Sequence, residues 1–172
     1  MTEYSAFLRG VNVGGVNLKM ADVARALTDA GFSNVRTILA SGNVLLESRG
    51  NVESVRETAE AALRNAFGYD AWVLAYDIDT VAAISNGYPF EREVPDTHSY
   101  VTFVSDPGVL DELAALQPGP GERIERGDGV IYWQVPRSKS LDSAMGKTMG
   151  KKRYKSSTTT RNLRTIEKVL RR

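Results

Sequence analysis

Apolar positions along the chain switch between a period of two and a period near 3.6, and each switch marks an element. Tyr4–Arg9 reads as a strand that runs into the loop Gly10-Val11-Asn12-Val13-Gly14-Gly15-Val16-Asn17. Met20, Val23, Leu27 and Ala30 then recur on one face of a helix, and Gly31 stops it. Val35–Ala40 and Asn43–Ser48 are two β-rich runs around Ser41-Gly42, the pattern of a hairpin. Val52, Val55, Ala59, Ala62, Leu63 and Ala66 form the stripe of a second helix ended by Gly68, and Ala71–Tyr76 is a further strand. A short helix over 77–85 breaks at Asn86-Gly87-Tyr88-Pro89.

The same plan starts again at His98–Ser105. Asp106-Pro107 opens a helix, the carboxylate capping free N–H groups and the proline fitting the first turn. Glu122–Arg126 and Val130–Val135 flank the turn Gly127-Asp128-Gly129, Leu141–Met149 is helical, and Arg161–Leu170 is the last helix after the basic, loop-like stretch 150–155, which has room for a short final strand. The order β-α-β-β-α-β is a split βαβ pattern. It predicts an α+β chain of two tandem ferredoxin-like subdomains with antiparallel sheets and a C-terminal helix. The expected divisions are 1–77 for the first half, 78–97 for a helix and linker, and 98–172 for the second half with its basic tail.

Composition narrows the chemistry. The chain has 172 residues and no cysteine, so disulfides, iron–sulfur ligation and a thiol nucleophile are excluded. Its only histidine is His98, which removes multi-histidine metal sites. No signal peptide or membrane span is apparent, and a cytoplasmic protein is expected. Charge is uneven: residues 137–172 hold 12 basic and 2 acidic side chains, net +10, against net −9 for residues 1–136. Such asymmetry points to an anionic partner, or to a tail that packs on its own acidic body.

Two kinds of segment offer anion chemistry. The loop between the first strand and helix carries Asn12, Gly14, Gly15 and Asn17 between Arg9 and Lys19. A strand-to-helix loop presents free N–H groups to an anion, although this spacing matches neither the dinucleotide fingerprint nor the P-loop. Ser41 and Asn43 lie in the hairpin. Arg137, Ser138 and Lys139, and later Thr159, Thr160, Arg161 and Asn162, place hydroxyls and cations ahead of helices. Each segment also has a plain structural role, as a turn or a helix cap. The expected partner is a phosphate-bearing small molecule or a nucleic acid, with no membrane. An enzyme acting on a phosphorylated small molecule, and a structural or homodimeric protein, stand as alternatives. No catalytic residue and no cofactor is identified.

The motifs Arg9-Gly10-Val11-Asn12-Val13-Gly14-Gly15, Ser41-Gly42-Asn43-Val44, Arg137-Ser138-Lys139 and Thr159-Thr160-Arg161-Asn162, in this order, resemble an uncharacterised bacterial family, domain of unknown function 1697. The resemblance covers nearly the whole chain. It implies a two-part α/β fold with ferredoxin-like halves and implies no activity.

Overall fold

The computed structural model describes residues 1–9, 17–39, 42–139, 143–149 and 151–171; the candidates Asn12, Gly14, Gly15 and Ser41 lie outside the described residues. The chain forms two compact units, Met1–Ala82 with Lys168–Arg172, and Ala83–Glu167.

In the first unit the order is β1 (Thr2–Arg9), α1 (Met20–Asp29), β2 (Ser33–Ile38), β3 (Asn43–Ser48), α2 (Val52–Phe67) and β4 (Trp72–Asp77). The strands make one antiparallel sheet in the order β2-β3-β1-β4. Alternation along β1 sends Tyr4, Ala6 and Leu8 to the helical face, where they meet Val23 and Leu27 of α1 and Val55, Ala59 and Leu63 of α2. Ser5 and Phe7 point to the opposite face and are also buried. α2 starts where Asn51 Oδ1 accepts the Ser54 N–H at 2.9 Å and ends at Gly68, whose φ of 65° is left-handed.

The next helix is α3 (Ile78–Asn86), and the second unit repeats the plan with β5 (Thr97–Val104), α4 (Pro107–Ala114), β6 (Arg123–Arg126), β7 (Val130–Pro136), α5 (Ala144–Met149) and β8 (Thr158–Asn162), followed by α6 (Leu163–Arg171). Its antiparallel sheet has the order β6-β7-β5-β8. Val104, Ile131, Trp133 and Val135 pack with Leu110, Leu113 and Met145 on the helical face. On the other face Tyr132 Oη donates to the Ile84 carbonyl at 2.7 Å and Gln134 Nε2 to the Glu91 carbonyl at 2.7 Å, which straps the segment 84–91 to the sheet. Asp106 caps α4, accepting the Gly108 N–H at 2.8 Å.

The chain is therefore α+β, with two four-stranded antiparallel sheets and six α-helices among the described residues. The tail departs from expectation. The final strand is Thr158–Asn162, later than the stretch 150–155, with Val101 opposite Arg161, and the last helix begins at Leu163, two residues after the expected start at Arg161. Three consecutive β-branched threonines favour the extended backbone, and an open edge of β5 supplies the pairing. Among the described residues no helix is long and apolar enough to cross a membrane.

Candidate functional site

One end of the second sheet gathers three strand ends. Thr97 at the start of β5 pairs with Pro136 at the end of β7, and just outside this pair the Arg137 N–H donates to the Asp96 carbonyl at 2.8 Å. Asp96 has a φ of 58°, a left-handed turn that brings the preceding segment alongside. Across β5, Tyr100 pairs with Asn162, the last residue of β8. Asn162 then turns the chain into α6: its Oδ1 accepts the Arg164 N–H at 2.9 Å.

These ends enclose a cavity of about 110 Å³. Arg92, Glu93 and Val94 line it from the segment before β5, Thr97, His98 and Ser99 from β5, Arg137 from the end of β7, and Asn162, Leu163, Arg164 and Glu167 from β8 and α6. Its charges fall into two groups. Arg92 is neutralised by Glu167 at 3.3 Å, donates to the Ser85 carbonyl, and lies 5.8 Å from the centre of the Tyr88 ring. Arg137, Arg164 and Glu93 enter no ion pair among the described residues. The Oδ1 of Asn162 is spent on the helix cap, which leaves its Nδ2 as a donor. His98 stands at the cavity with its ring 5.5 Å from that of Tyr100, which in turn lies 4.5 Å from Trp133. Among the described residues no three acidic or histidine side chains gather to hold a metal ion.

Of the residues singled out from sequence, Arg137 and Asn162 thus line one cavity. Ser138 is exposed and Lys139 closes the short 3₁₀ turn that Arg137 opens. Thr159, Thr160 and Arg161 are engaged within the unit. Arg161 is buried and its Nη1 donates to Thr159 Oγ1 at 2.7 Å and to the Thr160 carbonyl at 2.9 Å. Thr160 Oγ1 lies 2.7 Å from Thr102 Oγ1, which also accepts the Trp133 indole N–H at 2.9 Å. Arg92, Glu93, Arg164 and Glu167 were not legible as site residues. Arg92 and its partner Glu167 are 75 positions apart in the chain, and the helical reading of 161–170 does not by itself bring Arg164 in its first turn to a cavity.

In the first unit Arg9 ends β1 and Asn43 begins β3, so both sit at one end of that sheet, where the Leu8 N–H donates to the Gly42 carbonyl at 2.8 Å. Asn43 is buried and its Nδ2 donates to the Ile38 carbonyl at 2.9 Å, closing the β2–β3 hairpin. Burial pulls the Arg9 guanidinium pKa down from its ordinary value. Asn17 and Lys19 are exposed, and Lys19 occupies the N-cap position of α1 without a side-chain cap bond.

A family model described as "Protein of unknown function (DUF1697)" matches residues 1–132. No curated protein matches the chain. Among solved structures, a conserved bacterial protein from Streptococcus pneumoniae superposes with a TM-score of 0.81 at 21% sequence identity, over 99% of this chain and 97% of that one. At that identity the likeness is one of fold.

Proposed function

The chain belongs to the family of proteins of unknown function DUF1697, and from that premise we propose that its second unit binds a small anion, a phosphate monoester group in particular, in the cavity at the end of the sheet. One observation carries the reading: Arg137 and Arg164 line the same cavity without a carboxylate partner among the described residues, whereas the neighbouring Arg92 has Glu167. Two guanidiniums can form bidentate, charge-assisted bonds to a phosphate, and Asn162 Nδ2 adds a neutral donor. Size selects within the class. About 110 Å³ is below the roughly 300–1,000 Å³ of pockets that swallow a drug-sized ligand, so a phosphate with a short substituent fits and a nucleic-acid strand draws no support.

The reading extends to architecture. Each unit is taken as a ferredoxin-like subdomain, supported by the shared element order and by sheet orders that place the first strand centrally next to the third and fourth. The division at 1–77, 78–97 and 98–172 belongs to the same reading. A second functional reading, an enzyme acting on a phosphorylated small molecule, is favoured by His98 at the cavity, whose imidazole nitrogens can donate and accept a proton.

Titration of the chain with ethyl phosphate, followed by calorimetry, tests the proposal. Saturable binding is expected in the wild type. Arg137→Ala and Arg164→Ala each remove charge-assisted bonds worth about 1.5–3 kcal/mol, or roughly 10- to 100-fold in affinity. Both residues are exposed, so the melting temperature should barely move. Affinity equal to wild type in both variants overturns the assignment.

A further inference from the structure

The charge accounting that assigns an anion to this cavity also assigns the rest of the ligand. With the Arg92–Glu167 pair self-neutralised, the guanidiniums and carboxylates left on the described lining residues are two positive charges, Arg137 and Arg164, and one negative charge, Glu93. A phosphate monoester carries about −1.5 to −2 near neutral pH and answers the two guanidiniums. Glu93, also on the lining, then remains outside any ion pair among the described residues.

A purely anionic ligand brings its charge toward that carboxylate and is repelled by it. A ligand with a cationic group beside the phosphate is attracted at both ends. The charges of the described lining residues, two cations and one anion, are thus the inverse of a phosphorylated amine, a dianion and an ammonium on one short chain. Its volume of about 110 Å³ limits that chain to a few heavy atoms, since pockets for larger ligands start near 300 Å³.

We propose that Glu93 is a specificity-determining residue and that the ligand class is a small phosphorylated amine. The inference rests on the anion reading above and adds the ammonium partner. Because the carboxylate is exposed, its contribution is a preference between ligands and not a condition for binding.

Phosphoethanolamine and ethyl phosphate share the phosphate and differ at the far end in the ammonium. Calorimetric titration of the full chain with each, at moderate salt, separates the two levels of the account. Phosphoethanolamine is expected to bind about threefold tighter, the worth of one exposed ion pair. Glu93→Gln is expected to shrink that preference to under twofold, and Glu93→Lys to reverse it in favour of ethyl phosphate. Equal affinity for the two esters in the wild type, with both still weakened by Arg137→Ala, overturns the phosphorylated-amine proposal and leaves the anion site standing. Failure of both esters to bind removes the anion site and the proposal with it. A preference that survives unchanged in Glu93→Gln and Glu93→Lys overturns the role of Glu93.

Discussion

The buried polar side chains of the second unit are held by one another. Trp133 Nε1 donates to Thr102 Oγ1, and that hydroxyl meets Thr160 Oγ1 across the β5–β8 pair at 2.7 Å. Thr102 is fully buried, so nothing else replaces it. Thr102→Val is nearly the same shape and strands both partners in an apolar setting. We expect a loss of about 1–3 kcal/mol, read as a lower urea midpoint with an unchanged slope. The same chain of bonds explains why residues that look like ligands in sequence are structural here. A run such as Thr158-Thr159-Thr160-Arg161-Asn162 reads as the polar lead into a helix, with Thr160 as its cap. Once β-branched propensity puts it in a strand, alternate side chains turn inward, and Thr159 and Arg161 satisfy each other. Asn162 escapes because it is the last residue of the strand.

Periodicity and punctuation made most elements legible, because both act locally. β3 was placed to the residue over Asn43–Ser48, and α2 ends at the glycine that its left-handed cap demands. Asp106 and Pro107 open α4 as their chemistry requires. The tail was harder, since β8 owes its form to an edge of β5 more than fifty residues upstream. The cavity was least legible. Its charges come from the connector, from β7 and from α6, and only the folded sheet brings them to one end. Asn162 joins the two levels, capping α6 through Oδ1 while facing the cavity. Asn162→Ala should cost about 1 kcal/mol of stability through the lost cap and also weaken phosphate binding. Asn162→Asp should restore the stability, since a carboxylate caps as well, and should weaken phosphate binding further by adding a negative charge. Equal ligand affinity in the two variants would count against Asn162 as a donor to the anion.

At the scale of the whole molecule, the chain shares its fold with the pneumococcal protein along almost its full length, and its stability should carry an alkaline limit. Burial raises the pKa of Tyr69, Tyr76, Tyr88 and Tyr132. A phenol with a raised folded-state pKa holds its proton more tightly when native. Its contribution is complete below the unfolded value near 10 and is lost as pH rises through the folded value. Urea stability should therefore be level through neutral pH and decline above about pH 10. Tyr69 Oη is buried with no hydrogen-bond partner among the described residues, so Tyr69→Phe should cost little at neutral pH and make the alkaline decline shallower. Where the anion sits is read from the anomalous scattering of a crystal grown with arsenate. An arsenate ion is expected within hydrogen-bonding distance of Arg137, Arg164 and Asn162 Nδ2. Arsenate ordered elsewhere on the chain, with that cavity empty, would contradict the proposed site.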